Sequence, residues 1–287
     1  MKKYSFAMVF TMLTVVLFAQ KGNFKLDQEY TISKTGAINL RSSDAKVFVT
    51  GSDRSTAHVK IERSIVSKGF VWGNEDFSVN VEEENGNLII REREGGIRVG
   101  VIGYYHESYK IEIEAPPGVS LTIQGDDGDY FIKNINGSIV LDMDDADAEL
   151  QGCSGNKFFF RLDDGDISMD RGQGELEIVA DDADVEIRNA QFTVIRAEVD
   201  DGDLNIETSL SSNGNYSFDS EDGAIILNIT SGGGTFDIRH DDGRVVTEGN
   251  FRSLQKDEDQ TRLLLADGSA KVNIRLDDGR VKLSALN

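Results

Sequence analysis

The chain has 287 residues and a formal charge of −21, from 51 Asp and Glu against 30 Lys and Arg. That balance argues against nucleic acid or an anionic membrane as a partner, since either would be repelled. A single Cys excludes an internal disulfide framework, and 29 Gly beside 2 Pro, among alternating Val, Ile and Leu, predict many short strands joined by tight turns.

Residues 1–19 read as a secretory signal peptide. Lys2 and Lys3 are followed by the apolar run Phe6–Phe18 and then by the small Ala19, after which cleavage is expected. The run is too short to span a membrane, no Cys follows it to carry a lipid, and no later apolar run is long enough to span. The mature chain is therefore expected to be exported, to the periplasm, the cell surface or the medium. Losing the two Lys takes its charge to −23 (−21 − 2).

Residues 20–125 read as irregular coils with insertions. "INLRSSDAKVFV" places Ser43, Asp44 and Ala45 on a turn, with Leu40, Val47 and Val49 inward. "FSVNVEEENGNLII" reads the same way around Glu84, Asn85 and Gly86, and "YKIEIEAPPGVSLTI" turns through Pro116 and Pro117. Two insertions break the pattern, "SKGFVWGNEDF" (67–77) and "GGIRVGVIGYYHESY" (95–109). Either they cover strand edges, or they hold aromatic partner contacts, with Trp72, Phe77, Tyr104 and Tyr105 the candidates.

Residues 126–250 repeat. An acidic pair followed by Gly or Ala begins at Asp126, Asp144, Asp163, Asp181, Asp200, Glu221 and Asp241, and again at Asp277, at intervals of 18, 19, 18, 19, 21, 20 and 36 residues. A fixed period near 20 signals a solenoid. Four residues past each start stand Tyr130, Ala148, Ile167, Val185, Leu204, Ile225, Val245 and Val281. Six past stand Ile132, Leu150, Met169, Ile187, Ile206, Leu227, Thr247 and Leu283. Pairs such as Phe158/Phe160 and Leu176/Ile178 precede the turns. Alternation on both sides of the turn means two strands per coil, each with one buried face. The small third residue is expected to point inward at a tight corner.

Residues 251–287 read as a last coil preceded by a capping insertion, "FRSLQKDEDQTRLLLADG". The expected fold is all-β, a single-domain parallel β-solenoid over 20–287 with two short strands per coil of 18–21 residues. It should have roughly ten coils, be about 50 Å long at the usual strand spacing, and wind right-handed as parallel crossovers do.

The leader, the "EIEAPPGVSLTI" entry, the repeated Asp-Gly turns and the closing "IRLDDGRVKL" resemble the exported β-strand-repeat adhesin-like proteins, a group of unknown function that includes the head GIN domains. The resemblance covers nearly the whole mature chain. It implies a right-handed β-solenoid at the cell envelope and supplies no catalytic residues. The density of Asp in the turns exceeds what it implies.

That acidic row is the main candidate site. Asp126, Asp127, Asp144, Asp145, Asp163, Asp164, Asp181, Asp182, Asp200 and Asp201 are candidate ligands of divalent cations, Ca2+ foremost, because hard oxygens in a row suit it. The competing reading is a solvated acidic edge. On the flat faces, stacked charges are expected to pair: Asp170, Arg188 and Glu207 in one column, Asp142 with Arg161, and Asp219 with Arg239. Asp184 is expected to point outward with little consequence. Cys153 reads as a small packed side chain in the column of Ile135, Gly172, Ala190 and Thr230, and His240 as a core residue. No nucleophile–base set or phosphate loop suggests itself.

The expected function is a non-enzymatic envelope or cell-surface scaffold, an adhesin, binding a surface protein or glycan. The alternatives are a polysaccharide-active β-helix enzyme and an end-to-end self-assembling structural protein.

Overall fold

The computed structural model describes residues 23–72, 77–94, 100–266 and 268–285. In chain order the strands begin with β1 (Phe24–Thr31), β2 (Ala37–Ser42), β3 (Lys46–Gly51), β4 (Thr56–Trp72), β5 (Phe77–Glu84), β6 (Asn87–Glu94) and β7 (Gly100–Ala115). The regular coils hold β8 (Ser120–Gly125), β9 (Asp129–Lys133), β10 (Ile139–Asp145), β11 (Asp147–Gln151), β12 (Lys157–Asp170), β13 (Gln173–Asp201), β14 (Leu204–Ser209), β15 (Asn215–Asp222) and β16 (Ala224–Ser231). The remainder holds β17 (Gly234–His240), β18 (Arg244–Glu248), β19 (Phe251–Lys256), β20 (Gln260–Leu265), β21 (Ala270–Leu276) and β22 (Arg280–Ala285).

These strands form two parallel faces joined at the acidic turns, as the period-two alternation predicts. On the face before the turn, the stack runs β6, β2, β8, β10, β12, β13, β15, β21, β17. On the face after it, the stack runs β7, β3, β9, β11, β12, β13, β14, β16, β22, β18. β12 and β13 bend through their turns without a break and so contribute to both faces.

The interior is the set of predicted columns. Phe158, Phe160, Leu176, Ile178, Ile187, Ile206 and Leu283 are all buried. Each such aliphatic or aromatic side chain stabilises the coil by about 1.5–3 kcal/mol. Thr247 departs from its column, being exposed where Leu227 and Leu283 are buried.

At both ends the coils do not stack in chain order. The coil of β21 and β22 lies between β15–β16 and β17–β18, so Asp277 N donates to Ser220 O at 3.2 Å and Asp242 N to Asp277 O at 3.1 Å. At the other end β2 and β3 lie between β6–β7 and β8–β9. The C-terminal chain passes one rung by, reverses through the β19–β20 hairpin, and returns to fill the gap. Similar coils offer similar edges, so the repeat could not reveal this order.

The Glu84–Gly86 segment also differs from expectation. It is a tight hairpin turn joining antiparallel β5 and β6, with Asn85 at φ 51° and Gly86 at φ 79°. Asn-Gly with positive φ at both residues is the favoured two-residue hairpin turn.

Candidate functional site

The acidic row lies along the turn edge. Parallel, in-register stacking places like on like: Asp145 faces Asp164, Asp164 faces Asp182, and Asp201 faces Asp222. Neighbouring strands lie about 4.8 Å apart. Partial loss of water and then the charges of Asp126 and Asp163 raise the Asp144 carboxyl above its ordinary range. Asp145 is raised likewise, by desolvation and then by Asp164 and Asp127. Asp44 carries the row into the N-terminal coils, raised by burial and then by Asp127, Glu92, Glu107 and Asp126. Among the described residues, no group of three or more His, Cys, Asp or Glu is arranged to hold one metal ion. The ten candidate ligands thus form a line of neighbouring carboxylates.

The third residue of the turn explains the alternation of Gly with Ala. Gly165, at φ 101°, would place a Cβ 2.4 Å from Ala146 O, and Gly202, at φ 141°, would do the same against Ala183 O. Neither position accepts a side chain, whereas Ala146 and Ala183 are buried ordinary residues.

In the two glycine coils that follow alanine coils, the next N–H finds a carboxylate. Asp166 N donates to Asp147 Oδ1 at 3.0 Å, Asp203 N to Asp184 Oδ1 at 2.8 Å, and in the next glycine coil Ala224 N to Asp203 Oδ1 at 2.9 Å. Asp184 is exposed, as expected, and in addition accepts an inter-coil bond. The alternating 18- and 19-residue intervals were the signal for it.

The flat-face charges pair partly as expected. Asp170 is in register with Arg188, and Asp142 with Arg161. Their close contacts lie elsewhere: Arg188 donates to Glu186 at 2.6 Å, Asp170 accepts from Asn189 at 2.8 Å, and Arg161 sits 5.7 Å from the Phe159 ring. Asp219 meets Arg275 at 3.7 Å, not Arg239, because the C-terminal coil intervenes.

The second candidate surface is the β4–β7 ribbon. β1 pairs with β4 only through Arg63, and β3 pairs with β7 only from Lys110 onward. From Ser64 to Trp72 and from Gly100 to Tyr109, the two strands have only each other as strand partners among the described residues. Val66, Ile102 and Tyr104 are 47%, 68% and 54% exposed. Val66 pairs with His106, and Ile102 and Tyr104 follow at two-residue steps, so all three share one face. Tyr105, 39% exposed, is on the other face and donates to Glu107 at 2.8 Å. Trp72 pairs through its backbone with Gly100, and its side chain lies outside the described residues. Phe77 packs at the base of the ribbon, edge-on to Phe24 at 5.7 Å and Tyr109 at 5.1 Å, under the Arg63 guanidinium.

Cys153 is fully buried, its Sγ within 3.8 Å of Ile132 O, and burial pushes the thiol up. Its column continues through Ala190 to Thr208, which donates to Ala190 O at 3.2 Å, and not to Thr230. His240 stacks on Leu276 and is half-buried.

This geometry defines an all-β protein with a long, mostly parallel sheet wound in coils. The chain belongs to the Toastrack DUF4097 family, whose model matches residues 35–284. Two solved structures are similar in fold. One is a putative adhesin from Bacteroides fragilis, with 12% identity over 91% of this chain and 97% of that one at a TM-score of 0.50. The other is a putative adhesin from Parabacteroides distasonis, with 10% identity over 92% and 98% at a TM-score of 0.50. No curated protein matches the chain.

Proposed function

We propose that the protein is a non-enzymatic, exported scaffold of the cell envelope that makes adhesive contacts through the β4–β7 ribbon. The observation that carries this reading is the exposed apolar face of Val66, Ile102 and Tyr104 on a two-stranded extension of a rigid solenoid. Exposed apolar patches of this kind mark contact sites, and aromatic side chains supply contact area at low entropic cost. The partner is a surface protein or glycan. The solenoid holds the ribbon at a fixed place, as rigid frameworks do for binding loops.

The acidic row is the second surface of the same scaffold. Its raised carboxyls favour a cation bridging successive coils, with Ca2+ the candidate.

The test is binding of the exported chain to intact cells and envelope fractions. Substituting Val66→Ser, Ile102→Ser and Tyr104→Ser together is expected to abolish binding and leave the thermal midpoint unchanged. Undiminished binding by that folded variant would remove the ribbon from the function.

A further inference from the structure

Three of the four ends of the two faces are closed by antiparallel strands. β5 covers β6, β4 and β1 cover β7, and β20 and β19 cover β17. The fourth end is β18, which pairs with β22 and, among the described residues, with no strand on its other side. Beneath it Val245 is half-buried and Thr247 exposed, although the same columns are fully buried one rung inward at Val281 and Leu283. An open edge with an uncovered inner face is the position from which a sheet continues onto another chain.

The sequence of the edge selects the occupant. Arg244 N donates to the O of Gly279, the residue just before β22. By the two-residue alternation, the backbone groups of Arg244, Val246 and Glu248 face β22, and those of Val245 and Thr247 face the open side. An antiparallel partner forms its closely bonded pairs between residues with edge-facing groups. For a second β18 centred on Val246, those pairs are Val245 with Thr247 of the copy and Thr247 with Val245 of the copy. The same register sets Arg244 opposite Glu248 of the copy on the outer face, twice over.

Arg244 is otherwise in register with Arg280, a like charge, so an opposed carboxylate relieves a repulsion already present. Glu248 bonds Lys282 at 3.1 Å and would lie between two cations. Edge-facing backbone, charge order and the uncovered column all agree on one register.

We propose that β18 is a dimer contact, pairing antiparallel with β18 of a second copy of this chain about a two-fold axis at Val246. The pairing joins two solenoids at the end remote from the β4–β7 ribbons. The dimer therefore carries two ribbons at its far ends, and two linked contacts raise avidity without any new contact surface.

Sedimentation velocity over a concentration series tests this. The wild-type chain is expected to shift from monomer to dimer as concentration rises. Arg244→Glu and Glu248→Arg each place like charges across the axis and are expected to sediment as monomers with folded midpoints. An equimolar mixture of the two restores both ion pairs and is expected to recover the dimer. Thr247→Pro, which removes an N–H from the open side and none from the β22 side, is expected to be monomeric as well. A wild type that stays monomeric at the highest concentration, dimers that persist in the single variants, or a mixture that fails to associate would overturn the proposal.

Discussion

In the N-terminal cap, Asp27 accepts from His58 at 2.8 Å, Lys25 meets Glu62 at 3.2 Å, Lys60 meets Glu112 at 3.4 Å, and Arg54 bridges Glu29 and Glu114. In the regular coils, Asp144 and Asp145 meet other aspartates above and below. Both regions hold closely spaced carboxylates, and the strand arrangement differs. Antiparallel strands pair residues whose numbers have a constant sum, so different sequence positions meet and opposite charges can be opposed. Parallel in-register coils pair equivalent positions of a repeat, so like meets like. The consequence is a cap in which Asp27, Glu29, Glu62 and Glu112 are held below their ordinary range by hydrogen bonds and cations, and a row in which Asp144 and Asp145 are pushed above it.

The row is tolerated because it is outside, and moving a carboxylate inward breaks the comparison most severely. Ile187→Asp buries an unpaired charge between Met169 and Ile206, and no folded protein is expected by circular dichroism. A cooperative, folded Ile187→Asp chain would refute the column assignment.

The glycine coils give the next effect. Gly165→Ala meets both a positive φ and a carbonyl, and a loss of about 1–3 kcal/mol is expected in denaturant unfolding. Ala183→Gly, in the neighbouring coil, should cost less than about 1 kcal/mol. Equal costs would contradict the two-coil alternation.

Asp184 separates acceptor chemistry from charge. Asp184→Ala removes the acceptor of Asp203 N–H and should cost about 1 kcal/mol. Asp184→Asn keeps an acceptor and should lie near wild type. If both variants match wild type, the inter-coil bond contributes nothing.

The smallest effects concern protons and cations. For Asp144 and Asp145 the folded form binds protons more readily than the unfolded chain, so their charge opposes folding at neutral pH and stability rises as pH falls through their raised values. The cap carboxyls contribute stability above the ordinary carboxylate range, near about pH 4, and lose it as pH falls through their lowered values. The thermal midpoint should therefore pass through a shallow maximum on the acid side of neutrality. Combining Asp144→Asn, Asp145→Asn, Asp163→Asn and Asp164→Asn should flatten its rise. At constant ionic strength, Ca2+ should raise the wild-type midpoint above that in chelator, and the same four-residue variant should lose the difference. A wild-type midpoint indifferent to Ca2+ makes the row a solvated edge and nothing more.

Local chemistry was readable in the chain itself. Period-two alternation determined which side of each strand is buried, from Phe158 to Leu283, because the pleat sends successive side chains to opposite faces. The acidic period determined the coil, and Cys153 could be placed in a packed column by counting. Asn85-Gly86 carried a hairpin signal that a solenoid reading of its flanks overrode. What only the tertiary structure decided is adjacency. The order of coils at both ends, the meeting of Asp219 with Arg275, and the open edge at β18 depend on which of several equivalent rungs stack. Near-equivalent repeats present near-equivalent edges, so that choice is made by the hairpins and the reversals between them. The bond from Asp203 N to Asp184 is of the same kind: it exists because two coils of unequal length lie side by side, and neither coil alone contains it.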